Sequence, residues 1–239
     1  MISYLSLVLT TAMKTPLRRK EFVQNTYFVG NKSLVIIVFC VCFAAVVTIL
    51  ESSFHMKLVI QNDSMVPGFA SLLIFRELGA VVTALLLTSR VGAGFASEIG
   101  TMKVTEQIDA LKMLGLDPIQ VLIVPRLLAC VVGCVLLTAI ANMVCLINAM
   151  LVSEIYLGYT QSLFLSSMSR FVQFRDLIFS LIKAASFGFV IPIVAGYFGF
   201  HCEQGAEGVG RATTRTVVTA SMCIIVLDFI LSYTFSHFY

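Results

Sequence analysis

The sequence predicts an all-α integral membrane protein: an N-terminal interfacial helix, five transmembrane helices, and a short cytoplasmic helix between spans two and three. Composition, run length and charge placement predict it. Of the 239 residues, 59% are hydrophobic and 12% charged, with a mean hydropathy of +0.97, against about 45–50% and about 25% in an ordinary soluble domain. A single globular core of this size cannot bury so much apolar surface, so lipid must act as solvent for much of it. Five apolar runs approach the roughly 20 residues that a helix needs to cross a hydrocarbon layer about 30 Å thick. Basic residues alternate between rich and poor in the segments joining those runs.

Taken in order, the chain opens with the apolar stretch Met1–Met13, followed by Lys14, Arg18, Arg19 and Lys20. The basic residues follow the apolar stretch instead of preceding it, and no small-residue cleavage site is evident, so the segment is expected to be retained. A helix lying in the interface fits it, apolar side in lipid and basic side among anionic headgroups. The first span is Leu34–Leu50, without a charge; the second runs from about Met65 to Ala96 and carries Arg76, Glu77 and Arg90; the third is Leu127–Val152; the fourth, Leu177–Phe200, contains Lys183 and Pro192; the fifth, Val217–Phe235, contains Asp228. Length and charge leave the second span as either one tilted helix or a broken one. The chain is read as a single membrane domain over 1–239, with the interfacial segment at 1–32 and the five-span bundle at 33–239.

Placing the N-terminus inside puts ten Lys or Arg in the inner segments and three in the outer ones. The expectation is therefore a cytoplasmic N-terminus and, after five spans, a periplasmic C-terminus. A net charge of +3 is too small to argue for a nucleic-acid partner. The seven Cys fall mostly inside apolar runs, form no CxxC pair, and the three His (His55, His201, His237) lie far apart. Neither a metal site nor a disulfide framework is expected. A GxxxxGK[ST] phosphate loop is absent from the sequence, so this chain is not expected to hydrolyse ATP by that route.

Four segments carry chemistry. In Glu98–Arg126, Val104, Ile108, Leu111 and Leu114 recur at near-helical spacing, while Glu106, Asp109 and Lys112 lie largely off that stripe. Gly115 is a natural C-terminal stop and Pro118 follows. The result is a short amphipathic helix at about 101–114, which either docks on a soluble partner or rests on the bilayer. Arg76 and Glu77 lie within span two, where an ionisable group is costly unless paired or facing a wet cavity; Lys183 and Asp228 are the candidate partners. Adjacent residues point about 100° apart on a helix, so the two cannot face one partner squarely. The small residues Gly92, Ala93, Gly94, Ala96 and Ser97 make a face for close helix approach, within the chain or between two copies. Gly205–Thr216 supplies a glycine turn with Arg211 and Arg215 at the approach to span five, read as a topology anchor.

The segment RELGAVVTALLLTSRVGAGFASEIGTMKVTEQIDALKMLGLDPIQVLIVPR (Arg76–Arg126) closely resembles the signature region of MlaE/YrbE-type ABC permeases, and GVGRATTRTVV (Gly208–Val218) resembles their second shared block. Together the blocks cover about a quarter of the chain, in the right order. The resemblance implies a permease subunit that works as two copies, with cytoplasmic ABC ATPase subunits holding ATP and Mg, a periplasmic MCE-type lipid carrier, and phospholipid or a related amphiphile as substrate. It implies transport between inner and outer membranes; of a bacterial inner membrane and a plastid envelope, the N-terminus, which is not transit-like, favours the bacterial inner membrane. Thr105, Glu106, Gln107, Asp109 and Leu111 then become candidate ATPase contacts on a coupling helix, and Arg76, Glu77, Lys183 and Asp228 candidate lipid-cavity residues. Ala80 stands where many members have Pro, which leaves the local shape of span two open. No cofactor, metal or catalytic residue is implied in this chain itself. The competing reading is an ion-coupled secondary transporter or channel without an ATPase. An intramembrane enzyme is disfavoured: no His lies inside a span, and Asp228 is the one Asp there.

Overall fold

The computed structural model describes residues 2–14, 19–59 and 65–238, and among these no strand occurs. Helix α1 is Ile2–Lys14 and α2 is Arg19–Val59; Arg18 lies outside the described residues. The second span is a continuous run of helix over 66–104, built from α3 (Val66–Leu73), a π turn (Ile74–Leu78), α4 (Gly79–Leu87), a second π turn (Thr88–Gly92) and α5 (Ala93–Val104). The short α6 (Gln107–Met113) follows, then a π turn (Ile119–Ile123) leading into α7 (Val124–Leu157). Last come α8 (Gln161–Phe171), α9 (Phe174–Phe200) and α10 (Ala206–Phe238). Five of these runs are long and apolar enough to cross a membrane: Arg19–Met56, Val66–Val104, Ile119–Leu157, Phe174–Phe200 and Ala206–His237.

The helices overshoot the apolar runs. At 1.5 Å per residue, the 41 residues of α2 span about 60 Å, twice the hydrocarbon thickness. Residues 19–32 continue the same helix without a break, so α2 passes through residue 32. Span two resolves as continuous, with Arg76, Glu77 and Arg90 inside its two π turns; each such turn inserts one residue and re-aims the side chains beyond it. Pro192 does not interrupt α9. It removes one N–H from the ladder, a cost that packed neighbours tolerate in membrane helices. The helix α8 is too polar to register as an apolar run and was not foreseen; Thr160 caps it, its hydroxyl accepting from the Leu163 N–H at 3.4 Å.

Two compact units emerge. The first comprises the described parts of Met1–Ser33, Ala84–Cys134 and Ala185–Tyr239; the second comprises Leu34–Thr83 and Val135–Ala184. In the first, Val8, Ile99, Ile108, Leu122, Ile123, Leu127 and Ile193 form a buried cluster, so α1 is held by one face while Leu5, Leu7 and Leu9 stay exposed. Exposed leucines on a helix anchored through Val8 suit the interfacial placement expected of an apolar N-terminal helix. The small-residue face packs within the chain: a Cβ on Gly92 would stand 3.3 Å from Ile191, and one on Gly199 3.4 Å from the Ala96 carbonyl. In the second unit, α8 packs on α3, where the Ser167 hydroxyl accepts from the Gly68 N–H at 3.0 Å. Long outward rows of apolar side chains remain on α2 (Val35, Phe39, Phe43, Val47, Phe54) and α7 (Leu136, Met143, Ile147, Ile155), as expected where lipid is the solvent.

Candidate functional site

In the second unit, the first turn of α9 sets one half of a charged lattice. Asp176 occupies the third helical position, and its carboxylate reaches back to accept from the Gln173 N–H at 2.9 Å, satisfying a donor that the helix start leaves open. Its other oxygen accepts from Arg76 Nε at 2.7 Å, and the Asp176 side chain is fully buried. Two turns along α9, Lys183 places its ammonium 2.9 Å from a Glu77 carboxylate oxygen and also donates to the Arg76 carbonyl at 2.9 Å. That carbonyl belongs to the first π turn of span two, where the backbone ladder is locally re-spaced and a side chain can enter it. Ser180 lies between the two charges on α9 and accepts from Asn142 on α7 at 3.0 Å. Asp176, Ser180 and Lys183, spaced i, i+4 and i+7, thus form one polar stripe.

Arg76 and Glu77 therefore do address one helix, at two heights. Their 100° divergence is accommodated because Asp176 and Lys183 lie about 10 Å apart along α9, seven residues at 1.5 Å each. Of the partners named from sequence, Lys183 is the partner of Glu77. Arg76 instead meets Asp176, a residue passed over because it stands just outside the apolar run that marked span four. Asp228 lies on α10, in the first unit. The lattice is uneven: Lys183 is 0% exposed while Glu77 is 45% exposed. A carboxylate so placed cannot face hydrocarbon without a cost of several kcal/mol, by about 2.5–3.5 kcal/mol on insertion scales. Its face must turn toward water or another polar surface.

The first unit carries the second candidate site. The expected helix at 101–114 is divided: α5 continues to Val104, Thr105 closes it with its hydroxyl donating to the Thr101 carbonyl at 2.8 Å, and Glu106 turns the chain with φ 59°, ψ 11°. That left-handed conformation is unusual for a residue with a side chain and costs about 1 kcal/mol. Ile108 is buried and Leu111 packs on the same core, whereas Gln107, Ala110, Met113 and Leu114 face outward. The stripe read from sequence is thus half right, since Leu114 is 75% exposed. Gly115 does end the helix: with φ 75° it donates to the Lys112 carbonyl at 2.9 Å, and the Leu116 N–H reaches the Leu111 carbonyl at 3.1 Å. These two bonds are the paired C-terminal motif that a left-handed glycine permits. Asp109, on the outer side, accepts from Lys112 at 2.8 Å; that ammonium holds its carboxyl below the usual range.

Beside it, the Arg126 guanidinium is buried at the start of α7, 2.9 Å from a Glu98 oxygen and over the ring of Phe95 at 5.4 Å. Arg211 pairs with Glu203 at 2.7 Å at the approach to α10, an exposed contact that anchors the glycine turn. No group of three or more His, Cys, Asp or Glu suited to a metal ion occurs among the described residues.

A helical polytopic membrane protein with a charged lattice in its spans and an anchored helix between spans two and three is the class that fold and site define. The sequence matches the family model for permease MlaE over residues 22–234. It is 34% identical over 226 residues to a probable ABC transporter permease of Rickettsia typhi, covering 95% of this chain and 87% of that one. It is 34% identical over 221 residues to the intermembrane phospholipid transport system permease protein MlaE of Haemophilus influenzae, covering 91% and 84%. It is 31% identical over 225 residues to the chloroplastic protein TRIGALACTOSYLDIACYLGLYCEROL 1 of Arabidopsis thaliana, covering 94% and 64%. The chain belongs to the MlaE permease family and is a membrane permease of an ABC transporter.

Proposed function

We propose that this permease moves phospholipid, or a related amphiphile, between the inner and outer membranes of a bacterial cell. In this reading two copies assemble in the inner membrane with the N-termini cytoplasmic and the C-termini periplasmic. Separate ATPase subunits bind ATP and Mg, and an MCE-type carrier receives or delivers lipid on the outer side. The observation that carries the reading is α6: Ile108 and Leu111 root it in the core, while Gln107, Ala110, Met113 and Leu114 are left free for a partner. A rigid, anchored projection of this kind converts movement of a docked subunit into movement of the spans. Thr105, Glu106, Gln107 and Asp109 surround that projection, with Leu111 as its root. The Haemophilus relative's name, which specifies phospholipid transport, supports the substrate class.

Arg76, Glu77, Lys183 and Asp228 are proposed to serve a lipid cavity between the two copies. Half-exposed charge at span depth supports it, because water or headgroups, and not acyl chains, must meet the Glu77 face. The test is co-purification of the ATPase with the Glu106→Lys/Asp109→Lys double variant. The reading expects the variant to insert normally and lose the ATPase. Undiminished co-purification removes α6 as the docking element. Lipid movement that follows an ion gradient without any ATPase establishes the secondary-transporter alternative.

A further inference from the structure

We propose that the first unit binds a phosphoethanolamine lipid headgroup in the cleft between the start of α2, the end of α5 and the π turn leading into α7. The cleft has a volume of about 570 Å³ and is lined by both charge signs. Its wall is a ladder of four side chains. Lys32 Nζ stands 5.2 Å from the centroid of the Phe28 ring, Phe28 stacks on Phe95 at 6.0 Å, and the Arg126 guanidinium lies 5.4 Å beyond, over Phe95. Two cations thus bracket two stacked rings. Arg126 uses Nη2 for Glu98 and Nη1 for the Leu122 carbonyl, both at 2.9 Å, and its buried Nε has no acceptor. A buried donor without a partner is a cost that a ligand acceptor would relieve.

Height along the helices gives the class of ligand. Lys32 stands two residues before the apolar run of span one, Glu98 two residues after that of span two, and Arg126 one residue before that of span three. Two residues of helix rise about 3 Å, so all three charges fall where hydrocarbon gives way to headgroups. A lipid in that leaflet brings a phosphate to this level and keeps its chains in the adjoining hydrocarbon, which a soluble phosphate cannot do. The carboxylates choose among headgroups. Glu21 and Glu98 also line the cleft, so a purely anionic headgroup meets repulsion there. A zwitterion puts its phosphate toward Lys32 and Arg126 and its cation toward the carboxylates. A primary ammonium donates hydrogen bonds to them; a trimethylammonium has none to donate. The site rests on the chain's embedding in a bilayer and not on which lipid is transported.

Native mass spectrometry of the delipidated full-length protein tests it. The protein is offered equal amounts of phosphatidylethanolamine, phosphatidylglycerol and phosphatidylcholine with identical chains. The expected result is a preference of about tenfold for phosphatidylethanolamine, the factor one charge-assisted hydrogen bond carries. Lys32→Gln and Glu98→Gln should each abolish that preference. Lys32 is exposed on α2, so its variant should keep the wild-type melting temperature even if Arg126→Gln fails to fold. Equal retention of the three lipids, or an undiminished preference in Lys32→Gln, overturns the proposal. Displacement of the lipid by free phosphoethanolamine at equal concentration overturns the lipid source in favour of a soluble ligand.

Discussion

Lys183 on α9 is fully enclosed, yet the carboxylate it meets at 2.9 Å, Glu77 on span two, is half-exposed. The pair is therefore asymmetric in what each loss leaves behind. Removing Glu77 takes the carboxylate from a buried ammonium that still meets the Arg76 carbonyl at 2.9 Å and the Phe179 ring at 5.0 Å; removing Lys183 leaves a carboxylate that solvent or a headgroup can still reach. Breaking a buried pair from one side costs about 3–5 kcal/mol when the remaining charge is uncompensated. Glu77→Ala is thus expected to cost more stability than Lys183→Met, with the Glu77→Ala/Lys183→Met double variant recovering part of the loss. Melting temperatures of the purified variants check the order, and equal losses would mean the ammonium finds another partner.

Asp176 does two things at once, pairing with Arg76 and capping the start of α9. Exchanging the charges, Arg76→Asp with Asp176→Arg, should therefore fail to restore stability, because no side-chain acceptor then serves the Gln173 N–H. Asp176→Asn keeps an acceptor and should be milder than Asp176→Ala by about 1 kcal/mol, the usual worth of a cap. Full recovery in the exchanged variant would reduce Asp176 to its charge.

Close packing in the first unit rests on Gly188, where an added Cβ would stand 2.8 Å from the Cys130 carbonyl and 2.9 Å from Val131 Cα. Both are backbone atoms of α7 and cannot swing aside. Gly188→Ala should destabilise by about 1–3 kcal/mol, the cost of overpacking. Gly30 in α2 has nothing within 4 Å of its Cβ position, so Gly30→Ala should be neutral or stabilise by up to about 1 kcal/mol through helix propensity. Thermal unfolding of the two variants side by side makes the comparison.

The turn at Glu106 separates backbone from side chain. Its φ of 59° suits glycine, so Glu106→Gly should fold at least as well as the native chain, whereas Glu106→Val should lose about 1–2 kcal/mol. If the carboxylate matters to a docked subunit, Glu106→Gly weakens association while stability holds. Unchanged association in that variant would assign Glu106 a purely conformational role.

Asp109 offers a titration. Lys112 lowers its carboxyl pKa, so whatever stability the contact supplies is present above the unfolded value and is lost as pH falls through the lower folded one. Both groups are on the exposed side of α6, which keeps that contribution small. Carbon-detected NMR should place the Asp109 midpoint below the ordinary aspartate range and move it up in Lys112→Met. A midpoint insensitive to that substitution would mean the contact does not persist in solution.

Much of this molecule was legible in the sequence, and the reasons differ by element. The five spans follow from apolar run length, which in a bilayer is close to a structural rule. Gly115 ended α6 where a left-handed glycine should. Four features were not legible, in whole or in part. The π turns have no sequence signature of their own, so the way Arg76 and Glu77 share α9 could not be read. Asp176 is not marked by the apolar run, which begins one residue later at Leu177, although an acidic residue in a helix's first turn is a capping signal. The buried state of Lys183 was foreseen as a possibility of pairing, but its fit to Glu77 depends on the register between two spans, which periodicity does not encode. The helix α8 escaped because it is only eleven residues long and its apolar residues alternate with Gln, Ser and Arg, with Phe164 and Ser167 as its buried side chains.

The central claim is that this permease is driven by a separate ATPase and handles phospholipid. Native mass spectrometry of the tagged chain, expressed with its chromosomal neighbours and extracted in mild detergent, tests it most directly. The account predicts two copies of the permease with two ATPase subunits and retained phospholipid. A lone permease, repeatedly free of both ATPase and lipid under conditions that preserve other membrane complexes, would contradict it.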